Sequence, residues 1–297
     1  MDSVARRQDD FTSPGDQSVS SSAISVLRLK ALADVPYAHA VLDELAARSG
    51  VAAPVRGSMN GHLARAAHFE DRYRSVDELL STLRAPAILE MSAGFSFRSV
   101  DYARRFQVRY LDTDLVPVIS LKRQLFDRLR AREPAGTACA GEVDFLGLDV
   151  SSAPDWRAVE PAVGTGDVTV VNEGLLMYLT HEQKAGLCAR VRDLLRGRDG
   201  HWITGDIYIR SAAAPPAPGT ATERTFNERH RMWDNRFASF AEAEDFFRAN
   251  GFRVIARAAR QRRLVSLESL RDRGALTDGA ARTVGADRQT WALAPDS

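Results

Sequence analysis

The 297-residue chain predicts an α/β fold, a parallel sheet covered by helices on both faces and preceded by a purely helical segment. Three observations predict it. Before Ala87 the apolar residues recur only at helical spacing. From Ala87 onward, short apolar or β-branched runs alternate with helix-length segments, the pattern of βαβ units. Each of the first four runs is followed by an acidic residue, at the place where open sheets meet ligands.

Residues 1–21 lack apolar periodicity and are expected to form a tail, or an arm that orders on binding. From Ser22, Ile24, Leu27, Leu29 and Leu32, then Val41, Leu42 and Leu45, fall mostly at three- and four-residue spacings. Pro36 divides this stretch into two helices and Gly50 ends the second. Two more helices are expected over 59–73 and 75–83, the latter with Ser75 as N-cap and Glu78 completing a capping box. Residues 22–84 therefore predict a helical cap, and 85–297 a sheet-based core.

In the core, strands are expected at Ala87–Met91, Val108–Asp112, Glu142–Gly147, Val168–Val171, His201–Thr204, Phe252–Ala256 and Gln289–Leu293. Helices are expected over 96–105, 115–132, 154–163, 181–195, 221–236 and 240–250, with Gly251 as the C′ residue of the last. A proline-rich loop at 211–220 opens an insertion of about 207–238 that reads as a second piece of cap.

Composition narrows the function classes. A net charge of +1 with 27% charged residues provides no field for nucleic acid or an anionic membrane, so neither is expected as a partner. The two cysteines, Cys139 and Cys188, point to a reduced, cytoplasmic setting and to no metal cluster. Residues 1–22 have no apolar core of a signal peptide, and no run is long enough to span a bilayer.

The stretch Glu90-Met-Ser-Ala-Gly-Phe-Ser turns a strand sharply toward a helix, and its small residues let a polar ligand approach the main chain. It is not G-x-G-x-x-G, which disfavours a nicotinamide-dependent dehydrogenase. The later strands end in Asp112-Thr-Asp114, Asp149 and Asn172-Glu173-Gly174. Carboxylates gathered at one crevice suit ribose hydroxyls, an exocyclic amine and a cation, which a sulfonium amino-acid nucleoside offers together. A phosphate-bearing cofactor would be repelled.

These motifs, Glu90-Met-Ser-Ala-Gly-Phe-Ser, Tyr110-Leu-Asp-Thr-Asp-Leu, Gly147-Leu-Asp149 and above all Glu173-Gly-Leu-Leu-Met-Tyr178, resemble the leucine carboxyl methyltransferase family. Within it they are most similar to bacterial polyketide O-methyltransferases of the tetracenomycin type. The resemblance runs from about Arg65 to Gly251. Two departures are tolerable: Met91 stands where the family usually has Leu, and Ser92-Ala93 replaces a small pair.

The resemblance implies a Rossmann-like, seven-stranded class I methyltransferase sheet and S-adenosylmethionine as cofactor, with S-adenosylhomocysteine as product and no metal. It implies backbone approach to the cofactor's methionine part at Ser92 and Gly94. Asp114 would accept from the ribose diol, with Asp112 the alternative. Asp149 and the Val150 backbone would meet the adenine, and Glu173 the amino group. Glu90 belongs to the same rim. Arg65 resembles the family's carboxylate clamp, a task suited to a bidentate guanidinium, and Arg98 is the second candidate.

Methyl transfer chiefly needs alignment and water exclusion. A carboxylate acceptor needs no base, whereas a phenol or alcohol benefits from one. Candidates are Tyr178, His181, Asp206 and Tyr208, with His62 and His230 on predicted helices; His68, beside Phe69, has no strong claim. Met232, Trp233, Phe237 and Phe240 line either a pocket or the core. The expected activity is O-methylation of a small secondary-metabolite hydroxyl or carboxylate by a monomer or homodimer. The alternatives are carboxyl methylation of a protein C terminus and a non-catalytic cofactor-binding module.

Overall fold

The computed structural model describes residues 14–49, 58–134, 137–210, 228, 230–259, 261, 263–277, 279 and 284–296. Helices α1 (Pro14–Leu32), α2 (Ala38–Ser49) and α3 (Met59–Thr82) come first. Strands β1 (Ala87–Met91), β2 (Arg109–Asp114) and β3 (Glu142–Gly147) follow, with α4 (Arg98–Arg105) and α5 (Val116–Ala131) between them. Next come α6 (Ala153–Trp156), α7 (Val159–Val163), β4 (Val168–Asn172), α8 (His181–Leu195) and β5 (His201–Tyr208). The chain ends with α9 (Phe240–Ala249), β6 (Phe252–Arg257), α10 (Val265–Asp272) and β7 (Arg288–Pro295).

The seven strands form one sheet in the order β3-β2-β1-β4-β5-β7-β6. Strands β1 to β5 run parallel, and β7 runs against both β5 and β6. Alternation of side chains splits the core in two. Leu89, Leu111, Val170, Trp202 and Leu293 face Val191 and Leu195 of α8 and Phe247 of α9. Their neighbours Ile88, Tyr110, Val171, Ile203 and Ala292 face Val76 and Leu80 of α3 and Tyr102 and Ala103 of α4. Both faces are covered, and strand order reverses between β1 and β4, which opens a crevice at their carboxyl ends.

The helical start departs from expectation in three places. Helix α1 begins at Pro14, inside the stretch expected to be a tail, while 1–13 lie outside the described residues. A single helix replaces the two expected over 59–83. Ser58 caps it by accepting from the Gly61 N–H at 3.2 Å, and Ser75 is a buried interior residue rather than an N-cap. No proline or glycine interrupts the run from Tyr73 through Val76 to Leu80, so burial of that face carries the helix through. Its second half lies on the sheet, and Gly205 of β5 admits it: a Cβ there would stand 3.1 Å from Arg72 Cγ and 3.2 Å from Val76 Cγ2.

Strand β5 outruns its expected end at Thr204. After an irregularity it pairs Ile207 with Gln289 and Tyr208 with Arg288, and so delivers Tyr208 to the crevice. Helix α10 is not among the expected helices, although Leu264, Leu267 and Leu270 carry its three-residue spacing and pack on Leu63 and Ala67 of α3. Buried Glu70 of α3 caps it from a distance, accepting from the Val265 and Ser266 N–H groups at 2.9 and 3.0 Å. Half of the helix expected over 221–236 lies outside the described residues, and 230–235 are turns.

Candidate active site

A cavity of about 430 Å³ sits over the carboxyl ends of β1 to β5, within the size range of small-ligand sites. Its floor on one side is the turn after β1. Ser92 and Gly94 both adopt positive φ, 53° and 51°, a conformation that glycine takes without strain and serine does not. The turn is pinned by the Ala93 N–H donating to Thr113 O at 2.9 Å and the Gly94 N–H donating to Asp114 Oδ2 at 2.8 Å. A Cβ on Gly94 would meet nothing nearer than Ala23 Cβ of α1, at 3.8 Å. The turn therefore opens onto the cavity, and α1 roofs it.

Asp114, Asp149 and Glu173 all line the cavity. Asp114 also accepts from the Leu115 N–H at 2.8 Å; burial raises its pKa against the pull of its two backbone donors. Asp149 Oδ1 accepts from the Ser151 N–H and Oγ at 2.8 and 2.7 Å, which sets the carboxylate beside the Val150 backbone. Both acids stand where helix or loop N–H groups favour a negative charge.

Glu173 is different: it is buried at the meeting point of three cations. Lys30 Nζ lies 2.7 Å and Arg72 Nε 3.2 Å from Oε1, and Arg98 Nη2 lies 2.6 Å from Oε2. Burial opposes its ionisation, but Lys30, Arg98 and Arg72 together hold its pKa well below the usual carboxylate range. Lys30 and Arg72 share the cavity wall with it; Arg98 stands behind, bridging Glu173 to Glu90 at 2.6 Å and to Asp77 at 2.8 Å.

The opposite end is built from α3, β5 and the segment that follows. Tyr208 Oη lies 2.8 Å from His68 Nε2 and accepts from Arg72 Nη1 at 3.2 Å. Phe69, Met177, Tyr178, His230, Met232 and Arg236 complete this wall. Arg236 stacks over the Tyr208 ring, 5.1 Å from its centroid, and pairs with Asp287 at 3.0 Å. Burial and the neighbouring Arg288, Arg72 and Arg236 push the His68 pKa well below 6.5, so its ring is neutral near pH 7.

The structure thus brings Ser92, Gly94, Asp114, Asp149, Val150, Glu173, Tyr178 and Tyr208 to one cavity. It places the other expected site residues elsewhere. Glu90 is buried behind the turn, accepting from Arg98 and, at 2.5 Å, from Tyr110 Oη. Asp112 points into the sheet–helix core, accepting from Ser99 Oγ at 2.5 Å and pairing with Lys122 at 2.8 Å. Arg98 is held in its three ion pairs, and Arg65 is exposed, one turn of α3 before His68 and away from the cavity.

Asp206 is a loop anchor rather than a base. It accepts from the N–H groups of Gly174, Leu175 and Leu176 and from Asn172 Nδ2, which occupies its lone pairs. His181 packs edge-on against Phe237 and Phe246, away from the cavity. Phe237 is core, whereas Met232 reaches the cavity. Sequence reasoning missed Lys30 and Arg72 and set His68 aside. For the latter two the available signal was their i, i+4 spacing on one face of α3. Among the described residues no group of three His, Cys, Asp or Glu side chains is placed to hold a metal ion, and no helix is long and apolar enough to cross a membrane.

Sheet order, the reversed β7 and a ligand-sized cavity over the β1–β4 crevice define a Rossmann-like α/β protein with the class I methyltransferase sheet. No protein-family model matches the chain, and no curated protein matches it. Among solved structures it is similar to magnesium protoporphyrin IX methyltransferase (ChlM) from Synechocystis PCC 6803 with bound SAH. That match has 12% identity over 82% of this chain and 90% of that one, with a TM-score of 0.47. An O-methyltransferase family protein from Burkholderia thailandensis is similar at 13% identity over 80% of this chain and 59% of that one, with a TM-score of 0.44. PigF with SAH is similar at 12% identity over 80% and 59%, with a TM-score of 0.42.

Proposed function

We propose that the chain is an S-adenosylmethionine-dependent O-methyltransferase for a small-molecule hydroxyl or carboxylate of the secondary-metabolite kind, polyketides included. The observation that carries this is one cavity with two unlike ends. One end offers a small-residue turn and the acids Asp114 and Asp149; the other offers an aromatic and thioether wall with Tyr208 and His68.

The first end fits the cofactor. Asp114 would take the ribose diol, Asp149 with the Val150 backbone the adenine, and the open Gly94 turn the chain that links them. Lys30 and Arg72, both on the wall beside Glu173, suit the amino-acid carboxylate better than Arg65 or Arg98 would, because they reach the cavity. Glu173 supplies the negative partner for an ammonium. When bound, the cofactor supplies an electrophilic methyl group; the protein's part is to align the acceptor and exclude water. Helix α1 contributes by covering the turn with Ala23, Val26 and Leu27.

The test is titration calorimetry with S-adenosylhomocysteine. Binding is expected, weakened in Asp114→Ala and in Asp149→Ala. Absence of binding to the unmodified protein, or indifference of both variants, overturns the reading.

A further inference from the structure

Lys184 of α8 is a buried cation with no part in the cofactor site. Its residue is 1% exposed, and among the described residues it forms no ion pair. Asp206 on β5 and Glu242 on α9 act on it only from a distance, and Asp206 is already committed to the N–H groups of the turn after β4. It also stands near the N-terminus of its helix, where the backbone dipole favours anions. Burial pushes its pKa down to about 8, so the side chain is still charged at neutral pH. A leucine or methionine in its place would be far cheaper to bury.

What the ammonium holds is a main-chain carbonyl. Lys184 Nζ donates to Asn235 O, and it lies 5.0 Å from the Phe237 ring centroid. Asn235 is buried as well, and its side-chain amide donates to Met177 O at 3.0 Å and to His230 O at 3.3 Å. The turn after β4, the start of α8 and the segment after β5 therefore meet at Asn235. Met177 and His230 line the cavity, as do Tyr178, Met232 and Arg236, whereas Lys184 and Asn235 stand behind this wall. Residues 230–235 are turns, without the hydrogen-bond ladder of a helix or strand to fix them. Their far end is fixed where the Phe237 N–H donates to Tyr208 O at 3.0 Å; the Lys184–Asn235 contact fixes the middle.

We propose that Lys184 and Asn235 are positioning residues for the acceptor: their latch sets the spacing between Met177 and Met232, and so the shape of acceptor the cavity takes, without acting on the cofactor. The acceptor role of this wall rests on the methyl-transfer reading above. A charge kept for stability and a charge kept for position predict different outcomes when it is removed. In the first case Lys184→Leu unfolds more easily; in the second it holds or gains stability while the wall behind Met177 and Met232 loosens.

Three measurements on the full chain test this. Methyl NMR with carbon-13 methionine reads the wall directly, because the chain has only five methionines. The Met177 and Met232 signals are expected to shift or broaden in Lys184→Leu and in Asn235→Ala, with that of Met91, buried in β1, unchanged. Calorimetry should give S-adenosylhomocysteine affinities within about threefold of the unmodified protein for both variants, well under the loss of a direct contact. Binding of 1-naphthol, a flat apolar probe, to the S-adenosylhomocysteine-loaded protein should weaken about tenfold or more in both, while the urea midpoint of Lys184→Leu stays level or rises. Unmoved Met177 and Met232 signals overturn the proposal, and with normal cofactor binding they overturn it alone. Absence of S-adenosylhomocysteine binding to the unmodified protein overturns the methyl-transfer reading along with it. Equal weakening of both ligands, a lowered urea midpoint in Lys184→Leu, or failure of the loaded unmodified protein to bind 1-naphthol also overturns it.

Discussion

The two ends of the cavity are made in different ways. At the end proposed for the cofactor, the turn and two acids sit within a few residues of their own strands: the Ser92–Gly94 turn after β1, Asp114 closing β2, Asp149 just past β3. The rest of the cavity is assembled across the chain. His68 meets Tyr208 across 140 positions, and Arg72 meets Glu173 across 101. The first end is local and follows from strand–turn grammar; the second exists only once α3 has docked on β5. A fold can therefore keep its strand-end side while the side built by α3 changes with helix packing.

Glu173 joins the two halves, and its removal should have the largest effect. Glu173→Gln leaves Lys30, Arg72 and Arg98 buried without their shared anion, at a cost of about 3–5 kcal/mol in chemical denaturation. Retention of full stability would break the comparison at its hinge. The same carboxylate has a folded pKa below its unfolded value of 4.5, so its contribution is complete above that value and is lost as pH falls below it. An acid titration of stability should therefore lose its steepest limb in the variant.

Next come the local acids. Asp114→Ala removes the acceptor for the Gly94 and Leu115 N–H groups and is expected to weaken S-adenosylhomocysteine binding by about 10- to 100-fold, the worth of a charged hydrogen bond. Asp149→Ala should fall in the same range with a smaller change in stability, because its side chain is only half-buried. A sharper contrast comes from the cations: Lys30→Ala should weaken the same binding several-fold, whereas Arg65→Ala, an exposed change, should alter stability by no more than about 0.5 kcal/mol and leave binding alone. A small effect of opposite sign is expected of Ser92→Gly, which relieves a positive-φ serine and should raise stability by about 0.5–1 kcal/mol in thermal unfolding.

These contrasts also explain what could be read beforehand. Hydrophobic alternation located β1, β3, β4 and α8 almost to the residue, because their patterns are short-range. The same logic placed Asp114, Asp149 and Glu173 at strand ends, and all three line the cavity. It stopped at Asp112 and Glu90, which look like rim acids in one dimension but alternate inward, toward Lys122 and Tyr110. It settled on Arg65, with Arg98 second, and missed Arg72 two turns further along α3, since only the docking of the helix decides which arginine reaches the cavity. Asp206 stood at the right strand and proved to be an anchor, because the N–H groups that claim it come from the turn after β4, not from its own segment. His68 carried only its i, i+4 spacing to Arg72; its partner Tyr208 lies at the end of β5, in the part that pairs with β7.

Helix α3 serves both ends of this design: His68, Phe69 and Arg72 form cavity wall, while Val76, Leu79 and Leu80 a turn or two later are sheet core. Recognition and folding are thus written on one rod. A chimera that imports a different N-terminal region to change acceptor preference would also replace part of the hydrophobic floor under β5 and β7, so selectivity here is open to point-by-point drift but closed to wholesale grafting.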